Sequence, residues 1–274
     1  MSTKDIGEKS FSELERIEDK YIITIEQAAL IQKEVEKYLK PAYPDPKTEY
    51  VLINTLYLDS PDMAFFKYHA YQMKERLKVR IRKYGPNGKW DNEHYFLEIK
   101  EKDHDDVKKY RIQLDDENLK KVRKGLNLEF NSELDELNSP LYTHTDLKRY
   151  IEKYNKIVIK NEITPVLAVT YKRLAYGKGN ALRVTMDNNL SYKSERVMPL
   201  SQAYKIKKAV DWKDVKEYGK KYDPKVNVIL EVKHNNNLPP WLTKILEENK
   251  LEPEKFSKYI WSSFNMIKSI VGED

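Results

Sequence analysis

Cysteine is absent from the 274 residues. Disulfides, thiolate nucleophiles and zinc–cysteine sites are therefore excluded; a reducing compartment is compatible, and a cytoplasmic location is expected. Glycine is scarce at 8 residues and proline stands at 12, which argues against a low-complexity or repeat architecture, and no internal period is visible. No apolar run approaches the ~18 residues of a membrane span, and the opening MSTKDIGEKS has no apolar h-region, so neither a spanning segment nor a signal peptide is expected. There is no Walker A loop, no GxGxxG after a strand and no HxxxH pair. His69, His94, His104, His144 and His234 are scattered, and Ser257 has no neighbouring His base, so metal–histidine and Ser-His-Asp chemistry have little to build on.

What is present is positive charge in a pattern. The net charge is only +6, so its clustering matters more than its total. The excess suggests an anionic partner without choosing among nucleotide, nucleic acid, polyphosphate and membrane surface. With 40% apolar residues the chain has enough for a sizeable core, and 20 Tyr and 7 Phe suit a β-rich protein better than a helical bundle.

Residues 76–112 read as three consecutive strands in which cations recur at every second position. Lys78, Arg80 and Arg82 alternate with Leu77, Val79 and Ile81; Glu98, Lys100 and Lys102 alternate with Leu97, Ile99 and Glu101; Lys109 and Arg111 alternate with Tyr110 and Ile112. Side chains two apart on a strand share a face. These strands thus carry seven cations and one carboxylate on one surface. Such a surface is either the wet side of an antiparallel sheet or the inside of a closed barrel that grips a polyanion. Like charges opposite one another destabilise a sheet, and a solvated face usually mixes Glu, Thr and Ser among its lysines, which favours the barrel.

Elsewhere, strands are expected over 16–24, 50–58, 163–176, 181–187 and 226–234, about eight in all with no repeated βαβ pattern. A helix is expected over 26–39, with Ala29, Leu30, Val35 and Leu39 at helical spacing, ended by Pro41, Pro44 and Pro46. A short helix follows the Asp59-Ser60-Pro61-Asp62 turn. Residues 115–155 (to about 160) read as a helical insertion outside the sheet, 192–224 as an irregular basic stretch holding a further strand and a loop, and 239–251 and 256–271 as closing helices. A tight turn is expected at Gly177-Lys178-Gly179-Asn180. The expected class is α+β: one domain over 1–274, a mostly antiparallel eight-stranded barrel with appended helices.

In order along the chain stand R-x-E-x-K-Y (16–21), KVRIRKYG (78–85), LEIK (97–100), K-x-R (109–111), Y-x-R-x-A-Y (171–176), R-V-T-M-D (183–187), LEVK (230–233) and F-S-K-Y (256–259). Together they resemble the VTC domain, the catalytic domain of the vacuolar transporter chaperone polyphosphate polymerases and a branch of the triphosphate tunnel metalloenzyme (CYTH-like) superfamily. The resemblance runs from about residue 14 to 268. The acidic ExExK opening of other tunnel enzymes is reduced here to Glu18-Asp19-Lys20 behind Arg16, which favours the VTC branch.

The resemblance implies a barrel of eight antiparallel strands whose basic lumen holds a triphosphate or a growing polyphosphate chain. It implies that Lys20, Arg80, Arg82, Lys100, Lys109, Arg173, Arg183 and Lys258 match the phosphate-binding cations, with Arg80, Arg82, Lys100 and Arg173 on the nucleotide phosphates. A one-residue shift would exchange Lys109 for Lys108. Glu231 matches the metal-binding glutamate, for Mn²⁺ or Mg²⁺; Glu18 and Glu98 are either further metal ligands or salt-bridge partners of neighbouring cations. The expected activity is transfer of the ATP γ-phosphate onto polyphosphate. A metal-dependent triphosphate or polyphosphate hydrolase, and a non-catalytic polyphosphate- or nucleotide-binding module, remain open. The eukaryotic members carry an SPX domain and a membrane region that the resemblance does not cover, so coupling to transport is expected only through a membrane-protein partner. Nucleic-acid binding is not expected, because Tyr84, Tyr110 and Tyr171 read as lying opposite the cationic faces.

Overall fold

The computed structural model describes residues 17–43, 45, 47–90, 94–177, 181–210, 222–235 and 237–272. Its elements in chain order are β1 (Ile17–Thr24), α1 (Ile25–Tyr38), β2 (Val51–Asp59), α2 (Ala64–Ala70), β3 (Arg76–Pro86), β4 (Tyr95–Asp103), β5 (Asp106–Leu114), α3 (Asp116–Arg123), α4 (Ser132–Asn138), α5 (His144–Asn161), β6 (Thr164–Tyr176), β7 (Leu182–Ser194), α6 (Leu200–Lys208), β8 (Asn227–His234), α7 (Pro240–Glu248) and α8 (Lys258–Val271). The eight strands form one antiparallel sheet in the order β1-β8-β7-β6-β2-β3-β4-β5. Among the described residues no ladder joins β1 to β5. The barrel expected from the sequence is thus a sheet curled into a tunnel and left unsealed by hydrogen bonds at the seam between its edge strands.

Helices cover the outer face. The alternate positions of β3, β4 and β5 that carry no charge (Val79, Ile81, Leu97, Ile99, Ile112) pack against Leu119 and Val122 of α3, Leu134 of α4, and Leu147, Ile151 and Tyr154 of α5. The helical insertion read between 115 and about 160 thus buries the apolar side of the strands whose other side is cationic. On β1, β7 and β8, Tyr21, Val184, Leu230 and Val232 play the same part under α1 and α7. The buried stripe of α1 is Ala28, Ile31 and Val35; of the four positions expected, only Val35 is buried, and Leu30 faces solvent.

The inner face is apolar at one end. Ile53, Leu167, Val169, Leu190 and Ile229 pack with Tyr259, Ile260, Met266 and Ile267 of α8. The α8 helix starts where it does because the Ser257 hydroxyl caps it by accepting from the Ile260 amide at 3.4 Å. Its place is further set by Asp59, whose carboxylate accepts from the Tyr259 hydroxyl and from the Phe65 and Phe66 amides that open α2.

Two sequence expectations change. Strand β7 runs to Ser194 rather than 187, and α6 occupies part of the stretch read as a strand and loop. The reason is a bulge: the β6–β7 register shifts between Thr170 and Lys172, and Asn189 takes a left-handed φ of 53°. Asp187 pairs with Arg173 before it and Tyr192 with Val169 after it, so the inward parity of β7 switches and the alternation read from the sequence breaks. Arg16, the turn residues 178–180 and the basic stretch 211–221 lie outside the described residues.

A basic cavity inside the curled sheet

The inward side chains of β3, β4 and β5 stand in cross-strand rows. Register places Arg80, Glu98 and Arg111 opposite one another, and Lys78, Lys100 and Lys109 in the next row. On the opposite side, Lys20 faces Glu231 and Thr185 across β1, β8 and β7, and Glu18 faces Lys233. These rows, with Arg82, Arg173, Tyr57, Tyr171 and the first residues of α8, enclose a cavity of about 440 Å³. That volume falls within the range of small-ligand sites. Lys258 and Ser257 bring the N-terminal end of α8 to the wall, an end with no acidic residue in its first turn and with partial positive charge of its own.

Four acids in three centres hold this charge together. Asp187, with 0% of its side chain exposed, receives Nε and Nη2 of Arg173, each at 2.6 Å, and Nζ of Lys258 at 2.6 Å. Glu98 lies 2.7 Å from Arg80, 3.5 Å from Arg82 and 3.8 Å from Arg111. Burial would raise the Glu98 carboxyl, but the guanidinium groups of Arg82, Arg80 and Arg111 outweigh it and lower the pKa to about 2. Lys233 bridges the third centre, at 2.7 Å from Glu231 and 3.2 Å from Glu18, while Lys20 lies 2.8 Å from Glu18. Burial and the Glu231 charge oppose ionisation of Glu18, yet Lys20 and Lys233 lower its pKa to about 2. Glu231 is likewise lowered: burial is outweighed by Lys233, Arg173, Lys20 and Lys258.

The anions do not satisfy every donor. Among the described residues, Nε of Arg82 and Nε of Arg111 find no hydrogen-bond acceptor although buried at the cavity wall, and the hydroxyls of Thr55 and Thr185, which do not border the cavity, are likewise unmet. Unpaired buried donors are costly, and donors facing a cavity are what an oxygen-rich anion would satisfy.

The carboxylates set the stability's dependence on acid. Glu98 and Glu18 bind protons only near pH 2 when folded, against about 4.3 for a Glu in an unfolded chain. Between those values the unfolded chain binds more protons, so the stabilisation is present above about pH 4.5 and is lost as pH falls towards 2. The urea midpoint is expected to fall steeply through this window, and a flat profile would show that the pairs do not form.

Among the described residues no cluster of three or more His, Asp or Glu side chains is placed to hold a metal ion. Glu231 and Glu18, drawn together by Lys233, still fit a hard divalent cation, because Mg²⁺-type ions take one or two carboxylates and complete their shell with phosphate oxygens. Glu98 does not join them. Its oxygens are engaged by three guanidinium groups, so of the two sequence readings of Glu98 the geometry favours the salt-bridge partner.

Of the residues expected from sequence, Lys20, Arg80, Arg82, Lys100, Lys109, Arg173, Lys258, Glu18, Glu98 and Glu231 border the one cavity. Lys109 is the inward residue; its neighbour Lys108 faces out and pairs with Asp106 at 2.9 Å. Arg183 shares the inward face of β7 but sits exposed at its end and does not border the cavity. The tyrosine reading is corrected at two positions. Tyr84 shares the face of Arg80 and Arg82, and its hydroxyl accepts from Arg111 at 3.3 Å. Tyr171 lies inside with Lys258 4.7 Å above its ring, and Arg82 and Arg173 pull its pKa below the ordinary value against the effect of burial. Parity alone places both: Tyr84 is two residues from Arg82, and Tyr171 two from Arg173. Lys78, Arg111 and Lys233 also line the cavity, each two residues from an expected ligand.

Comparison with known proteins bears on this arrangement. No curated protein matches the chain. Among solved structures the chain is similar to the PH1819 protein of Pyrococcus horikoshii OT3, at 12% identity over 92% of this chain and 99% of that one, with a TM-score of 0.43. It is also similar to a candidate adenylate cyclase of Bacillus halodurans, at 10% identity over 87% and 91%, with a TM-score of 0.44. The family model of the VTC domain matches residues 15–266, the span that carries all eight strands and the cavity, and the chain therefore belongs to the VTC domain family.

Proposed function

We propose that the chain is a phosphotransferase of the polyphosphate-polymerase type, moving the γ-phosphate of ATP onto a polyphosphate chain inside the tunnel. The observation that carries this reading is the convergence of Lys20, Arg80, Arg82, Lys100, Lys109, Arg173 and Lys258 on one cavity, with buried donors of Arg82 and Arg111 unmet. In the transfer, the bond from the γ-phosphorus to the β–γ bridging oxygen breaks and a bond to a terminal oxygen of the chain forms. ADP leaves and the chain is one phosphate longer. Such chemistry asks little covalent participation of the protein; it needs charge neutralisation and in-line placement.

The residues divide that work. Arg80, Arg82 and Arg173 present planar forks, that of Arg173 aimed by the buried Asp187, suited to two-point contact with phosphate oxygens. Lys20, Lys100, Lys109 and Lys258 are point charges on flexible stems, suited to a chain that must slide as it grows. A Mn²⁺ or Mg²⁺ held by Glu231 and Glu18 would supply further charge neutralisation between phosphate oxygens.

Incubating the purified protein with ATP and Mn²⁺, and resolving products by gel and by phosphate release, tests the proposal. A ladder of long chains is expected, with the rate reduced about 10²–10³-fold in Arg80→Ala, the usual effect of removing one transition-state donor. Phosphate without chains would replace the polymerase by a hydrolase. Neither polyphosphate, ADP nor phosphate, with polyphosphate binding retained, would leave a binding module.

A further inference from the structure

The two rows across β3, β4 and β5 are built differently. In the Arg80–Glu98–Arg111 row the carboxylate sits between the cations and is ion-paired. The Lys78–Lys100–Lys109 row contains no acid, and none of its ammonium groups has a carboxylate ion-pair partner among the described residues. Like charges directly opposite one another weaken a sheet, so this row stands at a cost while empty. All three side chains border the cavity. The resemblance matches Lys100 and Lys109 to phosphate-binding cations but assigns no such role to Lys78.

The surroundings do not relieve the row. Lys78 is faced by Arg80 on its own strand, Lys100 on β4, Lys20 and Glu18 on β1, and His69 on α2. Lys100 is faced in turn by Lys109, Lys20, Lys233 and Glu18. Glu18 is already committed to Lys20 at 2.8 Å and Lys233 at 3.2 Å. Burial, then Arg80, Lys100 and Lys20, push the Lys78 ammonium well below the usual lysine range. Lys100 is pushed down to about 8 by burial and by Lys109, Lys20 and Lys233, against Glu18. His69 cannot carry the charge instead, since burial, Lys78 and Arg76 lower its pKa to about 2.

We propose that Lys78 joins Lys100 and Lys109, already read as phosphate cations, to complete a second phosphate seat beside the arginine row, and that Lys78 takes up a proton as the phosphate arrives. This rests on the tunnel reading given above and adds to it. The rows are two residues apart, about 6.6 Å along the strands, so a phosphate chain lying along them meets both, whereas a single phosphate fills one. The proton comes from solvent. The arriving anion raises the pKa of Lys78 and Lys100, so these two hold more protons in the bound tunnel than in the free one around pH 8. Affinity therefore falls as pH rises past the pKa values of Lys78 and Lys100 in the free tunnel.

Isothermal titration with tripolyphosphate, in buffers of differing ionisation enthalpy near pH 8, measures the protons exchanged. The wild type is expected to take up protons on binding. Lys78→Arg, which keeps the charge but cannot titrate, is expected to bind at about pH 7 within a few-fold of wild type, with reduced uptake and a flatter affinity profile to about pH 9. Lys78→Met is expected to bind about tenfold more weakly at neutral pH, also with reduced uptake, and to melt higher than wild type when empty. Equal uptake in wild type and both variants overturns the proposal and leaves the tunnel reading standing. Failure of the wild type to bind tripolyphosphate overturns both.

Discussion

Replacing Asp187 with Asn is expected to lower the stability of the empty protein by about 3–5 kcal/mol, read as a fall in the urea midpoint with an unchanged slope. The substitution preserves shape and removes one charge, so the loss isolates electrostatics from packing. Asp187 is 0% exposed and carries both Arg173 and Lys258 at 2.6 Å. Without it two cations remain buried side by side with the Arg173 fork no longer aimed, and leaving a buried charge uncompensated costs more than the intact pair contributes. Its carboxyl is held below the ordinary Asp range despite burial, by Arg173 and Lys258, so the wild-type group is charged at neutral pH. Because Asp187 lies behind the cations and does not border the cavity, tripolyphosphate is expected to restore only part of the lost stability. A loss below about 1 kcal/mol would mean that Arg173 and Lys258 reach water without it.

The part of the protein that the sequence displays most openly is local. Alternation over 76–112 reveals both the basic lumen and the apolar exterior, because a strand's two faces are written two residues apart. Counterions are not legible in that way. Asp187 shares a face with Thr185 in the sequence, but its partner is Arg173, and only the β6–β7 register brings the two together. Glu98 next to Lys100 suggests a lysine pair or a metal ligand; the β3–β4–β5 register instead sets it between Arg80 and Arg111. The bulge beside Tyr171 hides the second half of β7, since it breaks the period on which strand reading relies. The open seam is likewise invisible, because closure depends on a β1–β5 pairing that no local pattern encodes. Tyr84 and Tyr171 are a different matter, since their spacing from Arg82 and Arg173 already puts them inside.

Glu98→Gln is expected to act in two opposite directions. The empty protein should lose about 3 kcal/mol of stability, because three guanidinium groups then share one buried site without a counter-charge. Tripolyphosphate affinity should rise by about tenfold, the size of one charge-assisted contact. Location carries the argument: unlike Asp187, Glu98 borders the cavity with 15% of its side chain exposed, so an incoming phosphate can reach the same guanidinium groups. In the empty tunnel Glu98 acts as an internal anion, and the ligand must compete with it for Arg80, Arg82 and Arg111. A saturating ligand should therefore close about half of the gap in melting temperature to the liganded wild type, since a species that binds only the folded state stabilises it with the logarithm of its affinity and a tenfold gain offsets about 1.4 of the ~3 kcal/mol. Weaker binding in the variant would reverse the assignment: Glu98 would then be aiming the guanidinium groups rather than occupying them. The sign of the affinity change distinguishes the roles, and setting it beside Asp187→Asn separates a carboxylate that substrate displaces from one that stays in place while substrate binds.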